Sequence, residues 1–277
     1  MIALFDIGNT RIKWARLAHN KTQHPESAGL LDVGAENHAG HTLDEMAALY
    51  WSGWSQPEQI LVSTVATGDH WRQWQGWCRR YWQRTPVRVI STAEGFGIRN
   101  AYAQAEELGS DRWTAMVGAH HLLHSETCII DAGTAMTVDF LNAAGQHLGG
   151  YIIPGLELMQ RSLVQGTGAI QLSSGLFFTE TGLGEGMDIN VAPGISTTEC
   201  IEHGLMMAAT SLIEESCKKM EIRTGKPFCR LLTGGHAGLL ASSLGAGPGA
   251  RVQLEPHLVL FGLARMAANN YPLTSTI

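Results

Sequence analysis

The chain has 277 residues, with 19 Lys and Arg against 25 Asp and Glu, and a formal net charge of −6. That length buries a large core and points to two domains, while the acidic balance argues against a general nucleic-acid-binding role. No uninterrupted stretch reaches the ~20 apolar residues of a spanning helix, and the first apolar run, Met1 to Phe5, meets Asp6 too soon for a signal-peptide core, so a cytoplasmic protein is expected.

Ile2–Ile7 reads as a buried strand and Arg11–Leu17 as its hairpin partner, with Gly8-Asn9 as the turn signal. From Asn20 to Gly40 the chain is polar with Gly and Pro, mostly loop or weak strand; Leu43–Tyr50 then reads as a helix. Ile60–Val65 is a predicted strand, Asp69–Gln83 a helix and Val87–Ser91 another strand, an α/β alternation. Glu94–Asn100 is a Gly-rich loop, and Ser110 is placed to cap a helix running to about Leu123. A second set begins with strand Thr127–Asp131, its partner Met136–Leu141 and a third strand His147–Ile153, with Pro154 and Gly155 where a helix would begin. After a Gly-rich loop from Gly166 to Pro193, Thr197–Lys218 is a long helix, Arg230–Thr233 a strand leading through Gly234-Gly235 into a helix, and Leu258–Asn269 closes the chain helically. This order predicts an α/β fold of two ribonuclease-H-like domains facing a cleft, residues 1–115 and 116–277, with the boundary near Ala115.

Two loops carry the strongest chemical signal: Asp6-Ile7-Gly8-Asn9-Thr10 and Asp131-Ala132-Gly133-Thr134, whose aspartates lie 131 − 6 = 125 positions apart. Each is an apolar strand ending in Asp-x-Gly and a small polar residue. A strand-end Asp can hold a hydrated cation, and the Gly lets backbone N–H groups approach a phosphate. Asn9 and Thr10 can donate to phosphate oxygens and Lys13 adds a mobile positive charge, which is what phosphoryl transfer requires. The plainer readings are an ordinary Asn-containing hairpin for the first loop and, for Asp131, a buried aspartate capping its own turn.

The third string is Gly109-Ser110-Asp111-Arg112-Trp113. Helix capping explains Ser110 or Asp111 well. The functional alternative keeps Asp111 ionised at the helix start, ready to accept a proton from a hydroxyl, with Arg112 forming a two-pronged contact to a carboxylate. Trp71, Trp74, Trp77 and Tyr81 recur at helical spacing beside Arg72, Arg79, Arg80 and Arg84; a core stripe with outward arginines fits better than a nucleic-acid platform. His120 and His124 lack the carboxylate of an H-E-x-x-H metal site. The five cysteines are scattered without a C-x-x-C pair, so reduced, partly buried thiols are expected.

Taken in order, Asp6-Ile7-Gly8-Asn9-Thr10-Arg11-Ile12-Lys13, Leu108-Gly109-Ser110-Asp111-Arg112-Trp113, Asp131-Ala132-Gly133-Thr134-Ala135-Met136-Thr137-Val138-Asp139 and Gly149-Gly150-Tyr151-Ile152-Ile153-Pro154-Gly155 resemble a type III pantothenate kinase. The resemblance implies the actin-like and sugar-kinase superfamily fold, a homodimer, and transfer of the ATP γ-phosphate to pantothenate with Mg2+ and a monovalent cation, K+ or NH4+. It implies that Asp6, Gly8, Asn9, Thr10, Arg11 and Lys13 form the first phosphate loop, with Thr134 the second ATP contact. Asp131 resembles the ligand of the monovalent cation, and Asp111 the acceptor of the pantothenate hydroxyl proton. Tyr102, Gly109, Ser110, Arg112 and Thr197 match the substrate pocket. Two positions depart from the family pattern: Ala105 stands where a proline is usual, and His236 where an acidic residue is usual. The rival readings are a non-catalytic regulatory or accessory protein on the same fold, and a small-molecule kinase of the superfamily with another acceptor.

Overall fold

In the computed structural model, residues 1–17, 29–37, 40–66, 68–166, 178–179, 182–183, 192–245 and 251–269 are described. The apolar run of β1 (Ile2–Ile7) is held on both edges, antiparallel to β2 (Arg11–Leu17) and parallel to β4 (Gln59–Thr64). Between them in sequence come β3 (Leu30–Asn37), antiparallel to β2, and α1 (Leu43–Met46), which runs into a π-type turn Ala47–Trp51. The helix opens on a capping box in which the Thr42 side chain accepts from the Glu45 N–H and the Glu45 carboxylate accepts from the Thr42 N–H. α2 (Gly68–Tyr81) and β5 (Val87–Arg88) follow, then a small hairpin of β6 (Glu94–Gly95) and β7 (Ile98–Arg99) inside the predicted Gly-rich loop, and α3 (Ser110–Leu123). The first sheet has the order β3-β2-β1-β4-β5.

The second set repeats this plan. β8 (Thr127–Ala132), β9 (Ala135–Leu141) and β10 (His147–Pro154) form an antiparallel run, α4 (Leu156–Gly166) follows, and then a two-residue pairing of β11 (Phe178–Thr179) with β12 (Gly182–Leu183). α5 (Thr197–Thr224), β13 (Cys229–Thr233), α6 (Ala237–Leu244), β14 (Val252–Leu254) and α7 (Leu258–Ala268) complete the chain. The second sheet has the order β10-β9-β8-β13-β14, with β13 parallel to β8 and to β14. Strand for strand this is the topology of the first sheet, so the two aspartates occupy the same position, next to last in β1 and in β8.

Each unit has its own core. In the first, Phe5, Ile12, Trp14 and Val62 on one sheet face join Met46, Trp51, Trp54, Trp74, Trp77 and Trp82, with Trp71 packed against them. Trp74 and Trp77 are the buried stripe of α2, while Arg72, Arg79, Arg80 and Arg84 are exposed, as the core-stripe reading expects. α7 packs against β1 and β4 and α3 against β4, and neither gives a residue to that cluster, so they cover the opposite face. In the second unit Cys128, Ile130, Met136, Val138 and Phe140 meet Ile201, Met206, Ala209 and Ile213 of α5 and Leu239 and Leu240 of α6.

The division of the chain differs from the expected one. The first unit is Met1–His124 with His257–Ile277 and the second is Ser125–Pro256. A boundary near Ala115 would cut α3, whose residues from Arg112 to Ala119 are all buried. The closing helix α7 returns to the first unit because it fits closely along α3: a Cβ on Gly118 would lie 2.7 Å from the Leu258 carbonyl oxygen, and one on Gly262 would collide with the Thr114 carbonyl. Strand β3 is longer than the weak strand expected there, and residues 18–28 of that stretch lie outside the described residues. The same holds for most of the predicted loop from Gly166 to Pro193.

Candidate active site

The β1–β2 turn is closed by the Gly8 N–H donating to the Arg11 carbonyl at 2.9 Å, which leaves Gly8 and Asn9 exposed and Thr10 and Arg11 half-buried. Asp6 lies directly across from Lys13 in the antiparallel register, and cross-strand partners share a sheet face. Asp6 and Lys13 therefore project from the same sheet face, next to a turn whose tip is solvent-facing.

Thr64, at the end of β4, joins this turn to the start of α3. Its hydroxyl donates to the Ile7 carbonyl (3.0 Å) and accepts from the Ala66 N–H (3.0 Å). Its backbone is gripped by Ser110, whose hydroxyl donates to the Thr64 carbonyl (3.0 Å) and accepts from the Thr64 N–H (3.1 Å). The cap expectation for Ser110 therefore needs correction: the N-cap residue is Gly109, which has no side chain to cap with, and the Ser110 hydroxyl is spent on β4. Asp111 follows directly, with Oδ1 accepting from the Arg112 N–H at 2.8 Å. A Cβ on Gly109 would stand 2.5 Å from that same Oδ1, so glycine is what gives the Asp111 carboxylate its room.

Arg112 is buried, 7% exposed, and its guanidinium donates to the Tyr102 hydroxyl at 2.9 Å while lying 5.7 Å from the centre of that ring. Tyr102 is placed by the Asn100 side chain, which accepts from the Tyr102 N–H (3.0 Å) and donates to the carbonyls of Thr92 and Ala105. Ser91 donates to the Leu108 carbonyl at 2.7 Å and steadies the approach to α3. Thus Tyr102, Gly109, Ser110, Asp111 and Arg112 form one constellation, tied through Thr64 to the end of β1. Ala105 sits in the short 3₁₀ turn Ala105–Glu107 and accepts the Asn100 bond with its carbonyl, a role that needs no proline.

In the second unit the β8–β9 turn holds Gly133 and Thr134. The Gly155 N–H donates to the Thr134 carbonyl at 2.9 Å, and a Cβ on Gly155 would strike the Gly133 carbonyl oxygen, so the start of α4 is pressed onto the turn. On the other side of Asp131 runs the Gly234-Gly235 turn: Gly234 has φ +94°, and a Cβ there would lie 2.5 Å from Asp131 Oδ1. Gly234 thus leaves the space beside one Asp131 carboxylate oxygen that a side chain would fill. His236 is buried, and its N–H donates to the Ala132 carbonyl at 3.1 Å, so it pins this turn to β8. Thr197, also in this unit, is the exposed first residue of α5, behind the Ser196 cap that accepts from the Glu199 N–H at 3.2 Å.

Among the described residues no group of three or more His, Cys, Asp or Glu could hold a metal ion, His120 and His124 included. All five cysteines are free thiols, four of them buried. Sequence reasoning missed Thr64 and Ser91, whose hydroxyls bond backbone far away in sequence. The polar-after-apolar pattern at the end of β4 was the available signal.

A family model described as type III pantothenate kinase matches residues 2–219. A type III pantothenate kinase of Marinobacter nauticus is 34% identical over 275 residues, covering 97% of this chain and 98% of that protein. Among solved structures, a protein described as a Baf family transcriptional activator from Campylobacter jejuni superposes with a TM-score of 0.57 at 16% identity, covering 98% of this chain and 100% of that one. A protein from Sinorhizobium meliloti described as a 2-dehydro-3-deoxygalactonokinase superposes with a TM-score of 0.54 at 12% identity, covering 98% and 100%. The two structural likenesses speak to the fold alone, α/β units of the ribonuclease-H-like kind.

Proposed function

The chain belongs to the type III pantothenate kinase family, and from that premise we propose that it phosphorylates pantothenate with ATP, the opening step of coenzyme A synthesis, using the residues just described. The observation that carries the assignment of roles is the Ser110 bridge to Thr64, which fixes Asp111 and Arg112 relative to the turn at the end of β1. In this reading the Gly8–Arg11 turn and Lys13 hold the ATP phosphates, and Thr134 makes the second contact. Arg112, steadied by Tyr102, binds the pantothenate carboxylate beside Gly109 and Ser110, and the family resemblance adds Thr197 as a substrate contact. The acceptor hydroxyl gives its proton to Asp111 as its oxygen attacks the γ-phosphorus. The bond from that phosphorus to the bridging oxygen breaks and ADP leaves.

Asp6 and the phosphate oxygens fit Mg2+, a hard cation that takes oxygen ligands and neutralises phosphate charge. The strand-end carboxylate of Asp131 fits a monovalent cation, K+ or NH4+, since Gly234 puts no side chain against its Oδ1. No helix among the described residues is long and apolar enough to cross a membrane, and a cytoplasmic location is part of the same reading. A homodimer is supported by apolar residues exposed on the second unit: Tyr151 and Ile152 on the edge strand β10, Leu158 on α4 and Met207 on α5.

The test is ATP-dependent phosphorylation of pantothenate by purified protein, with potassium against sodium at matched ionic strength. Phosphopantothenate formed faster in potassium supports both the kinase reading and the role of Asp131. Folded protein that binds ATP and yields no product with either cation would overturn the reading.

A further inference from the structure

Between the β6–β7 hairpin and α3, the chain from Asn100 to Gly109 contains one short 3₁₀ turn, Ala105–Glu107. A segment of that kind is placed by side-chain bonds to its backbone rather than by a ladder. Asn100 supplies three of them. Its Oδ1 accepts from the Tyr102 N–H at 3.0 Å, an Asx turn, while its Nδ2 donates to the Ala105 carbonyl at 3.1 Å and to the Thr92 carbonyl at 3.3 Å. Two carbonyls around one end of the carboxamide and an N–H at the other fix which end is the nitrogen. The Asn100 N–H donates in turn to the Ala93 carbonyl at 2.9 Å, so backbone and side chain together tie the base of the hairpin to the segment that follows.

The hairpin is seated on α3. A Cβ on Gly95 would lie 3.6 Å from Trp113 Cζ2 and one on Gly97 would lie 3.0 Å from His120 Cδ2, and Ile98 is buried. The same helix carries Arg112, whose Nη1 donates to the Tyr102 hydroxyl at 2.9 Å. Asn100 thus joins a hairpin that rests on α3 to a tyrosine that meets an arginine of α3. The backbone between them is not stiffened covalently: Ala105 opens the 3₁₀ turn without a ring to fix its φ. Gln104, at φ −110° and ψ 103°, already has the extended backbone that a residue before proline adopts. The bond from Asn100 to the Ala105 carbonyl supplies the restraint that a proline ring would supply there.

We propose that Asn100 is a positioning residue of the acceptor site and sets its preference for a carboxylate. Its carboxamide holds Tyr102, the Tyr102 hydroxyl orients the Arg112 guanidinium, and the oriented guanidinium takes the acceptor's carboxylate in two-pronged fashion. Asn100 acts through these two side chains and touches neither acceptor nor nucleotide in this role. The inference rests on the reading that Arg112 binds the pantothenate carboxylate.

The test compares wild type, Asn100→Ala, Tyr102→Phe and the double variant, each with pantothenate and with pantothenol, its alcohol counterpart. In Asn100→Ala the KM for pantothenate should rise about tenfold with the KM for ATP unchanged, and the kcat/KM preference for pantothenate over pantothenol should narrow about fivefold or more. The double variant should lose no more than about twofold beyond the worse single variant, because both changes break one chain of contacts. Adding Ala105→Pro to Asn100→Ala should regain part of the lost affinity, since the ring restrains the turn that the missing bond restrained. Hydrogen exchange at the Tyr102 amide reads the same tie without turnover, and it should be about tenfold or more faster in Asn100→Ala than in wild type. Additive losses in the double variant, an equal loss with both acceptors, a proline variant no better than Asn100→Ala, or equal exchange rates would each overturn the proposal. Wild-type protein that turns over neither acceptor defeats the kinase reading alone, because exchange still decides whether Asn100 holds Tyr102.

Discussion

Asp111 owes its position to three neighbours: Gly109, whose missing Cβ leaves room for the carboxylate, Arg112, whose N–H one oxygen accepts, and Ser110, which anchors the helix start to β4. Asp111→Asn keeps this geometry and removes the proton acceptor. The expected outcome is a fall in kcat of about 10²–10⁴-fold with the ATP Kd unchanged, measured by turnover and by nucleotide titration. A matching loss of ATP affinity would reduce Asp111 to a helix-start residue. Arg112→Lys loses the planar fork and its bond to Tyr102, so the KM for pantothenate should rise about tenfold or more while the fold persists. The residue types of this string are visible in the sequence. What is hidden is the use of Ser110: the helix start looks capped by it, whereas its hydroxyl serves a strand 46 positions earlier. Long-range side-chain bonds of that kind leave no local pattern.

A second titratable group has its own consequence at this scale. His120 has its pKa lowered, first by burial and then by the neighbouring His124 and His121, so the folded chain prefers it neutral. The unfolded chain takes up this proton more readily, and stability is therefore present above the ordinary value of about 6.5 and declines as pH falls below it. The melting temperature of the wild type should drop between pH 7.5 and pH 5.5, and His120→Gln should show a smaller drop. Equal drops in both proteins would remove His120 as the cause.

At the scale of elements, glycine decides where helices meet. α3 and α7 approach closely at Gly118 and Gly262, and the added methyl of Gly262→Ala would press on the Thr114 carbonyl. Overpacking of this sort typically costs about 1–3 kcal/mol, so the variant should lose stability in urea unfolding while Gly204→Ala, where a Cβ meets nothing, should not. The elements themselves were largely legible: Ile2–Ile7 and Arg11–Leu17 form with the bounds their apolar patterns predict. The membership of α7 was not, because a helix buried on all sides carries no polar face to say which sheet it covers. The predicted strand Val87–Ser91 shrinks to Val87–Arg88, as its tail turns away to bring Ser91 under Leu108.

At the scale of the molecule, the repeated sheet order places Asp6 and Asp131 in equivalent positions, and that repetition was readable from the two Asp-x-Gly strings. The repetition also gives each sheet an equivalent edge strand, β3 and β10, and both expose large apolar side chains, Leu31 and Val33 on β3. Among the described residues β10 ends the second sheet, with Tyr151 45% and Ile152 60% exposed, neighbours in sequence that leave apolar side chains along that edge. A monomer would leave this edge in water and open to unwanted pairing; a two-fold partner using the same patch would cover it on both copies at once. Ile152→Glu puts a charge into such an interface twice, once from each protomer, and those charges would be desolvated together. Sedimentation equilibrium should therefore show wild-type protein at twice the 30.0 kDa chain mass and the variant at or near the single-chain mass, with the melting temperature of the variant becoming independent of concentration. A wild-type protein that sediments as one chain would remove the dimer and leave the exposed edge to be explained by another partner.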